Sequence, residues 1–234
     1  MKRHFDDELK KLKEKLFRMG LQVETAISKS SEALFQRDSK KALEVLRGDQ
    51  EIYLCEIELE ELVHELIALY QPTAVDLRFI TVVLKITNDL ERMGDQAVNI
   101  AEKAIQINQE PPIKSYVDLP KMAETSQGML REALDAFMER DPDKAKKILE
   151  KDDVIDGIND RLYQELQKVM KEKPETVGQG VALIMVSHNL ERVADLATNI
   201  AEEVIYLTRG IDVRHHIRER REGKEERVRP NPHS

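Results

Sequence analysis

Apolar and small residues recur at three- and four-residue steps from the start of the chain. Phe5, Leu9, Leu12, Leu16, Met19, Val23, Ala26, Ser30 and Ala33 share one face, with Lys and Glu between them. This spacing predicts an amphipathic helix from about His4 to Gln36. Asp38 is placed to cap a second helix running to Tyr70, with Gly48 as a candidate kink and Pro72 as its stop. Thr73, with Asp76 three residues on, makes a capping-box-like start for a third helix reaching about Asn108. At 1.5 Å per residue such a helix of roughly 36 residues is about 54 Å long.

The periodicity stops at Ile107–Pro120, where INQEPPIKSYVDLP carries prolines and no glycine and reads as a linker. It then restarts as a copy. At an offset of 103, Arg37-Asp38 meets Arg140-Asp141, Ala42 meets Ala145, and Asp49 meets Asp152. Pro142 sits in the first turn behind the Asp141 cap, Pro174 ends that helix, and the sixth helix is expected to reach Thr208 with Gly210 just beyond it. LERMGDQAVNIAEKAI, Leu90 to Ile105, returns one hundred residues later as LERVADLATNIAEEVI, Leu190 to Ile205, with 10 of 16 positions identical. The expected architecture is all-α: two tandem three-helix bundles related by internal pseudo-symmetry. Repeat 1 spans 1–110, a linker plus repeat 2 spans 111–210, and a charged tail expected to be disordered spans 211–234.

Composition agrees with this reading. Charged residues make up 35% of the 234 and aromatics 4%, with no Trp, as suits helices rich in Glu, Lys, Leu and Ala. No apolar run approaches a membrane span and the N-terminus lacks a signal-peptide core, so a soluble cytoplasmic protein is expected. A net charge of −8 argues against sequence-independent nucleic-acid binding. The single cysteine, Cys55, excludes an internal disulfide and reads as a small buried hydrophobe.

The repeated stretch carries more than packing. With residues about 100° apart, Glu91, Asp95, Asn99 and Glu102 fall within about 80° of one another, between an apolar seam and an outer cationic face. In the second copy Glu191, Asp195, Asn199 and Glu202 do the same, with His188 beside them. A hairpin folded at Pro72 brings Asp49 level with Gly94, between Glu91 and Asp95. One folded at Pro174 brings Asp152 and Asp156 beside Asp195 and Glu191. Like charges four apart on a helix repel, and the repulsion grows as they lose water. Solvated acidic faces are one explanation. The other is a cation site in each half with Asp49, Glu91, Asp95, Asp152, Asp156, Glu191 and Asp195 as ligands, and Asn99, Glu102, His188, Asn199 and Glu202 as further candidates. Hard oxygen donors suit Mg²⁺, Mn²⁺, Ca²⁺ or iron without choosing among them, and leave Zn²⁺ open as well.

No catalytic set is visible. The one Glu-x-x-His, Glu61 to His64, lies far along its helix from the stripe and has no second copy, unlike the pairs of a di-iron oxidase. There is no phosphate-binding Gly-Lys-Ser/Thr loop, no Gly-flanked nucleophilic serine, and only a lone Gly178-Gln-Gly180, read as part of a loop. A non-enzymatic adaptor is therefore expected, with a metal-storage or redox protein as the alternative and a mere spacer as a third reading. His215-His216 in the tail is read as inert.

Several motifs occur together in order: YQPTAVDLR at Tyr70–Arg78, NDLERMGD at Asn88–Asp95 with the following NIAE, KDDVID at Lys151–Asp156, and NLERVADLATNIAE at Asn189–Glu202. Through them the chain resembles the PhoU family of bacterial phosphate-signalling regulators, over about residues 4 to 210. The resemblance implies multinuclear iron or other metal clusters at the Glu/Asp-x-x-x-Asp motifs. It implies a cytoplasmic, often dimeric regulator that keeps the phosphate regulon off when phosphate is plentiful. Its partners would be the ATPase of a phosphate ABC transporter and a sensor histidine kinase, with membrane association only through them. Two departures stand out: Tyr53 occupies a place where an Asp is common, and PETVGQG in the second half lacks the Asp-Leu-Arg of the first.

Overall fold

The computed structural model describes residues 2–113 and 118–210. Within them six helices follow one another: α1 (Lys2–Phe35), α2 (Ser39–Tyr70), α3 (Ala74–Asn108), α4 (Leu119–Glu139), α5 (Pro142–Glu172) and α6 (Val177–Arg209). There is no strand among the described residues. The tail expected to be disordered, with His215-His216, lies outside them.

The ends of the helices follow from their residues. The Asp38 carboxylate accepts from the Lys40 N–H at 3.0 Å, satisfying one of the amides orphaned at the start of α2. Asp141 does more, accepting from the Asp143 and Lys144 N–H groups at 2.9 and 3.0 Å, with Pro142 occupying the first turn where no N–H is needed. Gly210, at φ 70, takes the left-handed conformation that closes α6.

Four local expectations are corrected. Gly48 does not kink α2, which runs unbroken through it. Thr73 does precede α3, but its hydroxyl donates to Asp76 Oδ2 at 3.5 Å and no backbone amide is capped. Ile107 and Asn108 complete α3 and do not belong to the linker, because Ile107 is still buried in the core. Gly178-Gln-Gly180 lies inside α6, after a 3-10 turn at Pro174–Thr176, and not in a loop. The absent side chain of Gly180 has a packing reason: a Cβ there would stand 2.6 Å from Met170 Sδ on α5.

Helices α1, α2 and α3 pack together as one bundle and α4, α5 and α6 as the other, with α3 against α6 and α1 against α4 joining them. One continuous apolar core, including Leu16, Leu59, Ile86, Leu90, Leu162 and Leu190, runs through all six helices. Cys55 is buried within it. The central α3–α6 crossing is antiparallel. Lys85 Nζ donates to both Glu203 oxygens at 2.9 and 3.1 Å, while one turn further along α3 Asp89 accepts from Asn199, one turn back on α6. The α1–α4 crossing is antiparallel too, with Lys13 donating to the Met138 carbonyl at 2.7 Å and buried Glu24 paired with Arg131.

Candidate functional site

In the first bundle, α2 and α3 bring four carboxylates into each other's electric field. Asp49 on α2 is half-buried, and burial, followed by the charge of Asp95, lifts its carboxyl above the ordinary range. Burial, then Asp95, Glu56 and Asp49, lifts Glu91, against a weaker opposing pull from Arg92. Burial, then Glu60 and Asp95, lifts Glu56. The hairpin at Pro72 therefore places Asp49 at the level of Glu91 and Asp95, as the residue count predicts. Removal from water and crowding of like charge both favour the protonated acid, and an arriving cation would relieve both.

Glu56 was not among the residues read from the sequence. It stands one heptad beyond Asp49, so the two share a face of α2, and that spacing was the available signal. Its counterpart at the 103-residue offset is Asn159, also missed. Asn159 Nδ2 donates to Glu191 Oε2 at 2.8 Å. His188 Nδ1 lies 3.2 Å from the same oxygen. The second copy therefore meets its Glu191 with neutral or cationic donors, where the first meets Glu91 with another acid.

The remaining candidates divide by exposure. Asp152 is buried, Asp156, Glu191, Asp195 and Glu202 are half-buried, and Asp95, Asn99, Glu102 and His188 are exposed. Tyr53, at the position corresponding to Asp156, points outward and is 54% exposed. Asn199 is drawn away from the acidic stripe by its bond to Asp89 across the α3–α6 crossing. Asp89 was not anticipated as special: it is buried, and burial pushes its carboxyl up to about 6 against the pull of Arg92, Asn199 and Lys85. Among the described residues no three His, Cys, Asp or Glu side chains are already gathered at ligand distance. The donor chemistry fits a hard divalent or trivalent cation, and occupancy would require these half-exposed side chains to turn inward.

A family model described as the PhoU domain matches twice, over residues 16–104 and 119–204. The chain is 43% identical over 216 residues to a phosphate-specific transport system accessory protein PhoU homolog of Aquifex aeolicus, covering 92% of this chain and 98% of that one. It is 37% identical over 212 residues to the Pseudomonas putida homolog of the same description, covering 90% and 83%. Among solved structures, PhoU from Pseudomonas aeruginosa superposes with a TM-score of 0.86 at 36% identity, covering 88% of this chain and 100% of that one. The phosphate transport system regulatory protein PhoU from Streptococcus pneumoniae gives 0.82 at 32% identity, covering 89% and 99%.

Proposed function

The chain belongs to the PhoU family, and from that premise we propose that it is a non-catalytic cytoplasmic regulator of phosphate uptake. In this reading it bridges the ATPase of a phosphate ABC transporter and a sensor histidine kinase, acts as a homodimer, and holds the phosphate regulon off when phosphate is plentiful. The observation that carries the reading is similarity over nine-tenths of the chain to accessory proteins of phosphate-specific transport, covering both bundles. No helix among the described residues is long and apolar enough to cross a membrane, so contact with the bilayer would come through the partners.

The same reading gives each bundle a cation site. Asp49, Glu91, Asp95 and Glu56 would hold one ion or cluster, and Asp152, Asp156, Glu191 and Asp195 the other, with Asn159 and His188 orienting Glu191. A bound cation, whether iron, manganese, magnesium, calcium or zinc, would supply positive charge to acids that otherwise repel across the α2–α3 face. The carboxylates themselves would tie α2 to α3 and α5 to α6, so that loading stiffens each hairpin.

Two measurements test these statements separately. Tagged full-length chain, expressed in cells of its source organism, should co-purify with the transporter ATPase or the sensor kinase. Recovery of neither removes the bridging role. Protein purified without added metal should contain a transition or alkaline-earth metal by elemental analysis, and a chelator should lower its melting temperature because a ligand held only by the folded state stabilises it. An unchanged melting curve with no metal found removes the cation sites.

A further inference from the structure

The pseudo-symmetry supplies an internal control for one cationic side chain. Arg37 and Arg140 are counterparts at the 103-residue offset, and each follows its helix in the left-handed conformation, at φ 56 and φ 54. This conformation swings both side chains off their helix ends. Arg37 finds acceptors there: its Nη2 donates to the carbonyls of Asn108, at 2.8 Å, and Glu110 at the end of α3, while its Nη1 is buried without one. Arg140 has no carbonyl or carboxylate partner among the described residues. Its guanidinium lies over the ring of Phe79, 5.4 Å from the centroid, on the wall of a cavity of about 250 Å³.

That cavity gathers two more cations from α1. Lys10 and Lys13 line it with Arg140, against the single carboxylate of Asp76 among the described residues. Among the described residues Lys10 has only an exposed 3.6 Å pair with Glu14 on its own helix, and Lys13 is turned toward the Met138 carbonyl. Burial, and after it the neighbouring charge of Arg140, makes the Lys13 ammonium easier to deprotonate. Val75, Phe79 and Leu207 give the cavity an apolar wall. Val75 and Asp76 belong to the first turn of α3, whose backbone amides Thr73 leaves uncapped. That end of the helix adds to the positive field already set by the three side chains.

We propose that the cavity between Lys10, Lys13 and Arg140 is a binding site for a phosphoryl-type oxyanion. Arg140 offers two parallel donors to a pair of oxygens, and Lys10 offers a mobile point charge at the rim. The volume exceeds what a bare tetrahedral anion fills, and the wall of Val75, Phe79 and Leu207 suits an apolar body beyond the charged group. The site therefore accepts free phosphate and binds a phosphate monoester with a small apolar body more tightly. It lies at the Pro72 end of α3, apart from the acidic stripe, and does not depend on the regulatory reading above.

The test is isothermal titration of the full-length chain with inorganic phosphate, with phenyl phosphate, and with phenol as an uncharged control. Both anions should bind, phenyl phosphate the more tightly. Arg140→Asn, which the left-handed backbone tolerates, should weaken both by roughly tenfold or more, the value of one charge-assisted hydrogen bond. Lys10→Gln should weaken both by a smaller factor, and Lys40→Gln, on α2 near Arg37, should change neither. Melting curves of the variants establish that they are folded. Binding of phenyl phosphate alone supports the site with an ester as its natural source, whereas binding of inorganic phosphate alone overturns the role given to the apolar wall and with it the ester-binding site. The proposal is overturned if neither anion binds, if phenol binds as well as phenyl phosphate, or if Arg140→Asn binds like the parent chain.

Discussion

Asp89→Asn should stabilise the protein at neutral pH and do nothing at pH 4. Asp89 is 8% exposed at the α3–α6 crossing, and burial pushes its carboxyl up to about 6. An unfolded Asp titrates near 3.9. Between those values the folded state binds more protons than the unfolded one, so this group's contribution to stability is full below about pH 4 and is lost as pH rises through 6. The gap of about two pH units from the folded value of about 6 corresponds to about 3 kcal/mol. That value already contains the pull of Arg92, at 4.0 Å, and screening by water at the exposed edge leaves about 2 kcal/mol to be gained by neutralising the group. Asn keeps the acceptor for Asn199 and is already the residue at the counterpart position, Asn189. At roughly 2–4 °C per kcal/mol for a chain of this size, the variant should melt about 4–8 °C higher at pH 7.5. Asp49, Glu56 and Glu91 also bind protons more readily in the folded state, so the parent's own pH profile mixes several groups. Denaturant titrations of both proteins at pH 4, 5, 6 and 7.5 isolate Asp89 as their difference. A difference that stays constant across that range, or a variant less stable at pH 7.5, refutes the reasoning.

Three further outcomes follow from particular contacts. A Cβ at Gly48 meets nothing within 4 Å, so Gly48→Ala should raise stability by about 0.5–1 kcal/mol through helix propensity alone, read by urea denaturation. Lys85→Met leaves Glu203, 5% exposed, without its lysine and should cost about 1–3 kcal/mol, while adding Glu203→Met should restore most of the loss. Glu91→Gln in metal-free protein removes a charge that Asp95, Glu56 and Asp49 repel and should stabilise by a few tenths of a kcal/mol. Glu191→Gln breaks a charge-assisted pairing with Asn159 and His188 and should not stabilise, so equal melting shifts in the two variants would contradict the site geometry.

The fold was legible because two independent signals agreed. The 3.6-residue period placed each helix, and Asp38, Pro72, Asp141, Pro142 and Gly210 marked ends whose chemistry the structure reproduces. The level of Asp49 against Glu91 was also readable, since a tight hairpin converts residue count into height at 1.5 Å per residue. What stayed hidden depends on lateral neighbours that one helix cannot report. Asp89 belongs by its angle to the polar margin of α3, and only the antiparallel approach of α6 buries it beside Asn199 and Glu203. Gly48 reads as a kink on propensity alone, but α2 continues through it because apolar contacts of Val45 and Ile52 hold both flanks. Gly178-Gln-Gly180 reads as a loop for the same reason, and Gly180 is there to admit Met170.

Where the halves diverge, the divergence is chemical. The Lys85–Glu203 pair maps, one hundred residues on and back, to Met185 and Lys103, which cannot form an ion pair, so the α3–α6 crossing is locked on one side of its pseudo-two-fold only. Gly48 faces a groove of about 310 Å³ shared with Lys29 and Leu21, whereas its counterpart Lys151 reaches Glu132, the counterpart of Lys29, at 2.6 Å and ties α5 to α4. Both faces are nevertheless bridged and both keep a cavity: Lys29 donates to Glu44 at 2.8 Å across α1 and α2, and Glu132 and Lys151 themselves line a space of about 580 Å³ along α4 and α5. The difference that reaches the acids is that between Glu56 and Asn159, repulsion in one copy and a hydrogen bond in the other. A duplicated core needs most of its apolar residues to match, though Val23 meets Ser126 and Phe79 meets Gln179. Polar positions were freer to part, and because they did, the two acidic sites differ in charge and hydrogen bonding before any ligand arrives.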